Sequence, residues 1–312
     1  MRYFSKKLAA MIVTLVAVSM LAFLAFQVIS DPAVAILGTN ATPESLEALR
    51  ESLGLNRPVA VRYFEWLGNF ITGDYGTSYT YSMPIGTMIA GKLGITAGIT
   101  VLAFVIMIVV AIPLGILAAR YAGSFLDRAI TVLSQISMAI PAVLQGILFT
   151  WIFGIMLRAF TPGVFVSFRQ SPWGFFVCIL FPALAIAIPR IAMTSKMLRS
   201  SILDQLGENY VITAYSRGNS TLEVLRRHIL RNAMIPVITF IASSMTEIVA
   251  SCIIVEQVFA IPGLGVLLLS SIGTRDYPVV LVIVMILAIW VVVLNFIADL
   301  LYQVTDPRIR LS

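Results

Sequence analysis

The stretch from Leu93 to Ala119 reads LGITAGITVLAFVIMIVVAIPLGILAA and contains no charged residue. A helix needs about 20 mostly apolar residues to cross the hydrocarbon core of a bilayer. Five other stretches have the same character: Leu8–Ile29, Ala129–Leu157, Trp173–Pro189, Ala233–Val255 and Val279–Ala298. Of these runs, only Ala233–Val255 contains a charge, at Glu247. The sequence therefore predicts an all-α membrane protein with about six transmembrane helices.

The composition of the whole chain agrees with a membrane protein. Of the 312 residues, 59% are hydrophobic and only 12% are charged, whereas a soluble domain carries about 25% charged residues. The net charge of +6 does not indicate nucleic-acid binding, because the basic residues lie between apolar runs and not together on one soluble face. The partner that the composition indicates is the lipid membrane.

The first apolar run has features of both a cleavable signal peptide and a membrane anchor. Arg2, Lys6 and Lys7 precede it, and Ala33-Val34-Ala35 follows it, as in a signal peptide. The uncharged run from Leu8 to Ser30 is longer than the roughly 7–15 residues of a signal-peptide core. We therefore expect it to be the first transmembrane helix.

The distribution of basic residues predicts the orientation of the chain. With the N-terminus inside, the cytoplasmic segments 2–7, 120–128, 190–232 and 308–310 carry 14 Lys and Arg residues, and the external segments carry 7. Cytoplasmic loops of membrane proteins hold the excess of Lys and Arg. This bias predicts that both termini are cytoplasmic.

These assignments divide the chain into three parts. Residues 1–30 form the N-terminal segment with the first transmembrane helix, and 31–92 form an external loop with short amphipathic helices. Residues 93–312 form a core with five transmembrane helices and a cytoplasmic loop at 190–232. The external part is either a solvated cap over the membrane domain or a docking site for a partner.

The external part shows two helix patterns. Thr42-Pro43 predicts an N-cap followed by proline at the first helical position. Leu46, Leu49 and Leu53 then share one face, and Gly54 ends the helix. A second amphipathic helix is expected at Val59–Phe70.

The cytoplasmic loop predicts two short helices around a glycine. Asn209–Arg217 is compatible with a helix that ends at Gly218, and Ser220-Thr221-Leu222-Glu223 is a capping box that starts a second helix. The apolar residues expected on one face of the second helix are Leu222, Leu225 and Ile229. The basic residues beside them are Arg226, Arg227 and Arg231. From the pattern alone, a solvated loop that anchors the membrane interface with its arginines is the first interpretation, and a compact knob that faces the cytoplasm is the alternative.

This loop resembles the "EAA" loop of ABC importer permeases, in residues 213–218 (TAYSRG) and 227–236 (RHILRNAMIP). Its spacing is similar to that of the branch that serves oligopeptides, dipeptides and nickel. The other segments similar to this branch are 53–56 (LGLN), 73–78 (GDYGTS), 112–115 (IPLG), 255–265 (VEQVFAIPGLG), 275–278 (RDYP) and 306–310 (DPRIR). The resemblance covers nearly the whole chain, in the right order.

The resemblance implies a permease subunit with type I ABC importer architecture in a bacterial or archaeal cytoplasmic membrane. Such a subunit forms half of a translocation pathway for peptides or similar small solutes, with nickel or metal chelates as the alternative cargo. Its implied partners are a second homologous permease subunit, two cytoplasmic ATPase subunits and an external substrate-binding protein. The resemblance implies no catalytic residue, no metal and no cofactor in this chain.

The resemblance also assigns the 209–231 loop to coupling with the ATPases. Ala214 would be the small residue that allows close packing, and Gly218 would be the turn between the helices. The same set includes Thr213, Ser220 and Glu223. Ile212 stands where the general importer pattern has Glu, and Thr213 stands in place of its first Ala, which removes a salt bridge to the ATPase at that position. The external loop at 158–172 is also shorter than is usual in this family.

The sequence lacks the motifs of a self-contained motor or enzyme. It has no Gly-x-x-x-x-Gly-Lys-Ser/Thr loop for nucleotide phosphates and no Gly-x-Ser-x-Gly elbow. His228 is the single histidine, so a multi-histidine metal site is excluded, and a packing role is expected for it. Cys178 and Cys252 are expected to be small buried hydrophobic residues.

Glu247 is the candidate for contact with the transported solute. A charged residue within a span normally faces the bundle interior or a wet cavity. Three roles remain open: a residue of the pathway, a neutral hydrogen-bonded Glu at the interface with the second permease, or a residue near the end of the span.

A self-contained channel or secondary carrier is the alternative from another functional class. Secondary carriers normally contain internal repeats with paired broken helices. The two halves of this sequence show no such repeat.

Overall fold

A computed structural model describes residues 2–29, 32–37, 42–52 and 54–305. The chain divides into two compact units. Unit 1 comprises Met1–Thr96 and Pro262–Val293, and unit 2 comprises Ala97–Ile261 and Leu294–Ser312.

Unit 1 contains the N-terminal helices and a late pair of helices. Their bounds are α1 Arg2–Ile29, α2 Pro32–Leu37, α3 Pro43–Ser52, α4 Val59–Thr72, the start of α5 Ile85–Arg120, α12 Leu264–Gly273 and most of α13 Tyr277–Thr305. Phe23, Tyr63 and Leu281 form a buried cluster. The ring centroids of Phe23 and Tyr63 are 5.6 Å apart in an edge-to-face arrangement, and the Tyr63 hydroxyl lies 2.8 Å from the Ser19 hydroxyl. These contacts hold α1, α4 and α13 together.

The helices predicted in the external part are present. The N-cap before α3 is confirmed, because the Ser45 N–H donates to Thr42 Oγ1 at 3.2 Å. Leu46 and Leu49 are both partly buried, while Leu53, the third residue predicted on that face, lies outside the described residues. Gly54 has φ +66°, the left-handed conformation of a helix-terminating glycine.

Unit 2 contains the remaining helices. In chain order they are the rest of α5, α6 Phe125–Ala139, α7 Ala142–Phe149, a π-helical segment Thr150–Met156, α8 Pro172–Leu206, α9 Asn209–Ser216, α10 Thr221–Glu223, a second π-helical segment Val224–Ile229, and α11 Leu230–Val258. Helices α8 and α11 pack along each other. A Cβ atom on Gly115 would lie 2.9 Å from the Ser195 carbonyl oxygen, so glycine permits the close approach of α5 and α8.

The prediction of about six spans is confirmed with one correction. Within the described residues, five helices are long and apolar enough to cross a membrane, and a bent pair raises the number to six. The predicted span Ala129–Leu157 is not one helix. It is broken into α6 and α7, which meet at an angle of 100°.

Pro141 explains this break. Proline has no N–H and pushes the preceding residue out of the helical region, and Ile140 accordingly has φ −95° and ψ 118°. The Gln145 side-chain amide donates to the carbonyls of Ser137 at 2.9 Å and Ile140 at 3.1 Å. It thus satisfies backbone groups at the end of α6 that have no partner inside the helix. Pro113 and Pro182 lie inside continuous helices, so a proline within a span does not by itself break the helix.

Candidate functional site

The turn of the 209–231 loop is built as the sequence predicts. Helix α9 ends at Ser216, and Gly218 has φ +83°. The Asn219 amide donates to the Ala214 carbonyl at 2.9 Å and closes the turn. The predicted capping box is confirmed, because the Ser220 N–H donates to Glu223 Oε2 at 3.0 Å and the Glu223 N–H donates to Ser220 Oγ at 3.4 Å.

Gly218 is required by backbone conformation and not by space. A Cβ atom at this position would meet no described atom within 4 Å. A positive φ is uncommon for residues other than glycine, with Asn and Asp the best tolerated and β-branched residues the worst. The turn therefore selects against side chains that cannot adopt the left-handed region.

The second helix of the loop is not short, which corrects the prediction. From Thr221 it continues through the π-helical segment into α11. The predicted apolar face is confirmed in part: Ile229 is buried and Leu225 is partly buried, but Leu222 is 53% exposed, and Val224 is buried although the pattern did not place it on this face. A π-helical segment has more residues per turn than an α-helix, because its hydrogen bonds run from i to i+5. A 3.6-residue period therefore could not predict that Val224 is buried together with Ile229.

The loop exposes apolar side chains beside cations. In α9, Val211 and Ala214 are buried, whereas Ile212 is 61% exposed and Tyr215 40% exposed. The basic residues Arg226 and Arg227 of the second helix are also exposed. Exposed apolar residues next to polar ones mark an interaction surface.

The remaining predicted residues of the loop have mixed positions. The Thr213 side chain is exposed, and its hydroxyl donates to the Asn209 carbonyl at 3.1 Å. His228 is exposed, so the packing role expected for it is not realised within this chain. Ala214 is 5% exposed, in agreement with a small residue at a packed position.

An ion pair that the sequence did not indicate joins α6 to α8, near the end of α8 that leads into this loop. Arg199 Nε lies 2.5 Å from Asp127 Oδ1, and its Nη2 lies 2.7 Å from Asp127 Oδ2. Asp127 is buried and also accepts the Gly123 N–H at 2.8 Å. Nearer the loop, the Ser201 hydroxyl donates to the Ala233 carbonyl at 2.9 Å. These contacts connect the start of α6, the end of α8 and the start of α11, which together carry the loop.

Glu247 forms an ion pair with Arg190 of α8. The Glu247 side chain is 55% exposed and the Arg190 side chain 19% exposed. Glu247 is the eighteenth of the 29 residues of α11, which excludes a position near the end of that helix. Its pairing with an arginine favours a charged carboxylate over the neutral one. The sequence did not predict this pairing of Arg190. Arg190 follows the apolar run that ends at Pro189, so it was assigned to a cytoplasmic segment, whereas α8 continues to Leu206.

A second polar site lies in unit 1 between two of the segments that carry the resemblance. Ser78, in GDYGTS, hydrogen-bonds to Asp276, in RDYP. The Tyr79 N–H also donates to Asp276, at 3.0 Å. Burial raises the pKa of the Tyr79 hydroxyl, an effect that the nearby Arg62 opposes. Tyr79 and Arg62 line a cavity of about 300 Å³, together with aromatic rings such as those of Phe23 and Trp66.

The described part of the chain contains potential metal ligands and two free cysteines. Within the described ranges, no group of three or more His, Cys, Asp or Glu residues is placed to hold a metal ion. Cys252 is buried and Cys178 is partly buried.

The long apolar helices define a multi-pass membrane protein. Family models match almost the whole chain. Residues 1–100 match "Binding-prot-dependent transport system membrane comp, N-term", and residues 111–311 match "Binding-protein-dependent transport system inner membrane component". The chain belongs to this family.

Several relatives are similar to this chain over nearly their full length. A putative peptide transport system permease protein of Brucella abortus (strain 2308) is 35% identical over 306 residues, which cover 98% of each chain. A probable peptide ABC transporter permease protein of Sinorhizobium fredii is 31% identical over 311 residues, or 99% of each chain. A dipeptide transport system permease protein of Lactococcus lactis subsp. cremoris is 30% identical over 311 residues, also 99% of each chain.

Family membership establishes the cellular location of the chain and its general function. It is a multi-pass protein of the cytoplasmic membrane and a permease subunit of an ABC transporter. ATP is hydrolysed in such systems by separate subunits, and an ATPase and a substrate-binding protein are the partners that the family implies. The alternative of a self-contained channel or secondary carrier is therefore not supported.

Proposed function

We propose that this chain is the transmembrane permease subunit of an ATP-driven peptide importer and forms half of its translocation pathway. One observation supports peptides as the transported solutes. Relatives from three genera whose names specify peptide or dipeptide transport align with 98–99% of this chain. None of these names mentions nickel, so the metal-chelate alternative gains no support from them.

The proposed assembly contains a second homologous permease subunit, two cytoplasmic ATPase subunits and an external substrate-binding protein. The positive-inside bias supports an orientation with both termini in the cytoplasm, and this orientation would place the 209–231 loop on the side of the ATPases. The termini themselves include residues 306–310, which lie outside the described residues.

We propose that the 209–231 loop transmits nucleotide-driven movement of the ATPases to the spans. The exposed Ile212 and Tyr215 supply an apolar contact surface. Thr213 and Ala214 lie on the same short helix, while Gly218, Ser220 and Glu223 fix the angle at which the next helix leaves the turn. Because that helix continues into α11, displacement of the loop would move a transmembrane helix directly.

The proposal is tested by reconstituting the complex in liposomes with its binding protein and measuring uptake of labelled peptides. ATP-dependent uptake is expected with all subunits present, and no ATP hydrolysis above background is expected from the purified chain alone. A complete, ATP-hydrolysing complex that imports nickel chelates but no peptides would refute the cargo class. Hydrolysis by the isolated chain, after contaminants are excluded, would refute the division of labour.

A further inference from the structure

The Arg190–Glu247 pair lies near the middle of two long helices. Arg190 is the nineteenth of the 35 residues of α8, and Glu247 is the eighteenth of the 29 residues of α11. Both helices are candidate membrane spans. The pair is therefore set within the apolar part of the protein, although more than half of the Glu247 side chain is exposed.

The exposed face of α11 around Glu247 is unlike a lipid-facing surface. Its exposed residues at helical spacing are Ser243, Glu247, Ala250 and Ile254, of which only Ile254 is a large apolar residue. Thr246 donates its hydroxyl to Asn295 of α13 at 3.0 Å beside this face. By contrast, α5 exposes Val101, Val105 and Val109, an apolar stripe that suits lipid. Charged residues within spans face a bundle interior or a water-filled cavity, so the α11 face is turned toward water or another polar surface.

The two side chains retain hydrogen-bonding capacity beyond their mutual contact. A guanidinium has five N–H donors, and a carboxylate has about four acceptor sites. Besides Glu247, Arg190 Nη1 contacts the weak acceptor Met193 Sδ at 3.9 Å. The half-exposed Glu247 carboxylate thus offers acceptor oxygens next to the guanidinium of Arg190, whose side chain is mostly buried, with 19% exposed.

A peptide with free ends carries the charges that complement this arrangement. Its terminal carboxylate matches the planar fork of arginine, and its terminal ammonium matches a carboxylate. The end charges of an extended tripeptide lie about 10 Å apart, so the two long side chains have to separate before such a zwitterion can pair with both of them and leave neither charge unpaired.

We propose that Arg190 and Glu247 line the translocation pathway and exchange their mutual ion pair for the end groups of the peptide. Arg190 receives the carboxylate and Glu247 receives the ammonium. This assignment rests on the proposed peptide import. It also adds a permease contribution to recognition, beyond the selection made by the binding protein.

The test uses the full complex, reconstituted with the binding protein, and three labelled peptides without charged side chains. These are trialanine, N-acetyl-trialanine and trialanine amide. The variants are Glu247→Gln, Arg190→Gln and the double variant with both changes, which keeps a neutral hydrogen-bonded pair of similar shape. Glu65→Gln is the control, because Glu65 pairs with Arg57 at 3.0 Å in an exposed ion pair outside the spans. For each peptide, uptake by the variant is divided by uptake by the parent, which cancels the preference of the shared binding protein.

Glu247→Gln should lower uptake of the two peptides with a free ammonium by about tenfold, the size expected for one charge-assisted hydrogen bond. Its effect on N-acetyl-trialanine should be less than about twofold by the same reasoning. Arg190→Gln should slow peptides with a free carboxylate and spare trialanine amide. The double variant should lose both preferences, and Glu65→Gln should change none of the ratios.

Three results would overturn the assignment. A variant that slows free and blocked peptides by the same factor would show a structural role for the pair. Loss of the second permease from complexes purified with Glu247→Gln would assign the pair to the subunit interface. If the parent complex hydrolyses ATP but imports none of the three peptides, the proposed peptide import fails and the assignment fails with it.

Discussion

The Ser78 hydroxyl donates a hydrogen bond to Oδ2 of Asp276 and so joins two segments that are 198 positions apart in the sequence. Asp276 is 0% exposed, and its Oδ1 accepts the Tyr79 N–H at 3.0 Å. A buried carboxylate is tolerated only when its oxygens are paired. The contact therefore fixes the loop after α4 against the residue that precedes α13.

Asp276→Ala should destabilise the chain, because the Ser78 hydroxyl and the Tyr79 N–H lose a buried acceptor. An unpaired buried donor costs about 1–3 kcal/mol, so the thermal unfolding midpoint of the purified protein in detergent should fall. Asp276→Asn retains one acceptor oxygen and should cost less. Asp74→Ala serves as the control, because Asp74 is exposed and accepts only the nearby Gly76 N–H in the same loop. Equal midpoints for Asp276→Ala and Asp74→Ala would show that the junction adds no stability.

Hydropathy and length were sufficient to predict the transmembrane helices. Uncharged runs such as Leu93–Ala119 have few alternatives to a membrane helix, because lipid requires every backbone polar group to be paired within the segment. Local polar patterns were equally informative at Thr42 and at Ser220–Glu223, because a cap depends only on residues a few positions apart. Pro141 marks the position of the break, because proline cannot continue the hydrogen bonding of a helix, but it does not specify the size of the bend. The 100° angle between α6 and α7 depends on how neighbouring helices pack.

The features that the sequence did not reveal are pairings between distant positions. Arg190, Asp127 and Arg199 were assigned to orientation or left without a role, since a single sequence does not say which charge meets which. The π-helical segment Val224–Ile229 shifts the buried face of its helix. No local residue preference distinguishes such a segment from an ordinary helical turn.

Gly218→Val should impair peptide uptake much more than Gly218→Asn. The native φ of +83° is strained for a β-branched residue, whereas asparagine tolerates the left-handed region. The strain is about 1–2 kcal/mol for an ordinary residue and would change the angle between α9 and the following helix. Uptake and ATP hydrolysis are measured in reconstituted complexes, with membrane levels of the chain as a check on insertion. If both variants import at the parental rate, the geometry of the turn is not needed for coupling.

Ile212→Ser should weaken association with the ATPase subunits. Ile212 is 61% exposed on α9, so its apolar side chain is available for contact with another subunit. Burying such a side chain at an interface contributes about 1.5–3 kcal/mol before other costs, so co-purification of the ATPases should fall by several-fold at limiting subunit concentration. Ile71→Ser is the matched control, because Ile71 is 75% exposed on α4, in the part predicted to be external. The assignment of the ATPase surface would be wrong if Ile71→Ser released the ATPases and Ile212→Ser did not.

Loss of the Asp127–Arg199 ion pair should lower both the thermal stability of the chain and the uptake per ATP hydrolysed, because the pair joins α6 to α8. Removing one partner of a buried ion pair leaves an uncompensated charge and costs about 3–5 kcal/mol at a fully buried site. Because the Arg199 side chain is 29% exposed, water should reduce the loss to the lower part of this range for Asp127→Ala. Arg199→Lys keeps the charge but cannot form the two parallel hydrogen bonds, so it should lose less stability and still loosen α6 from α8.

The double variant Asp127→Ala/Arg199→Ala should be less damaging than the sum of its single variants, because neither charge is then left alone. Thermal midpoints of the parent, Asp127→Ala, Arg199→Ala and the double variant give the coupling energy, and uptake per ATP hydrolysed shows whether the ion pair transmits movement. Additive midpoints would show that the two residues act independently.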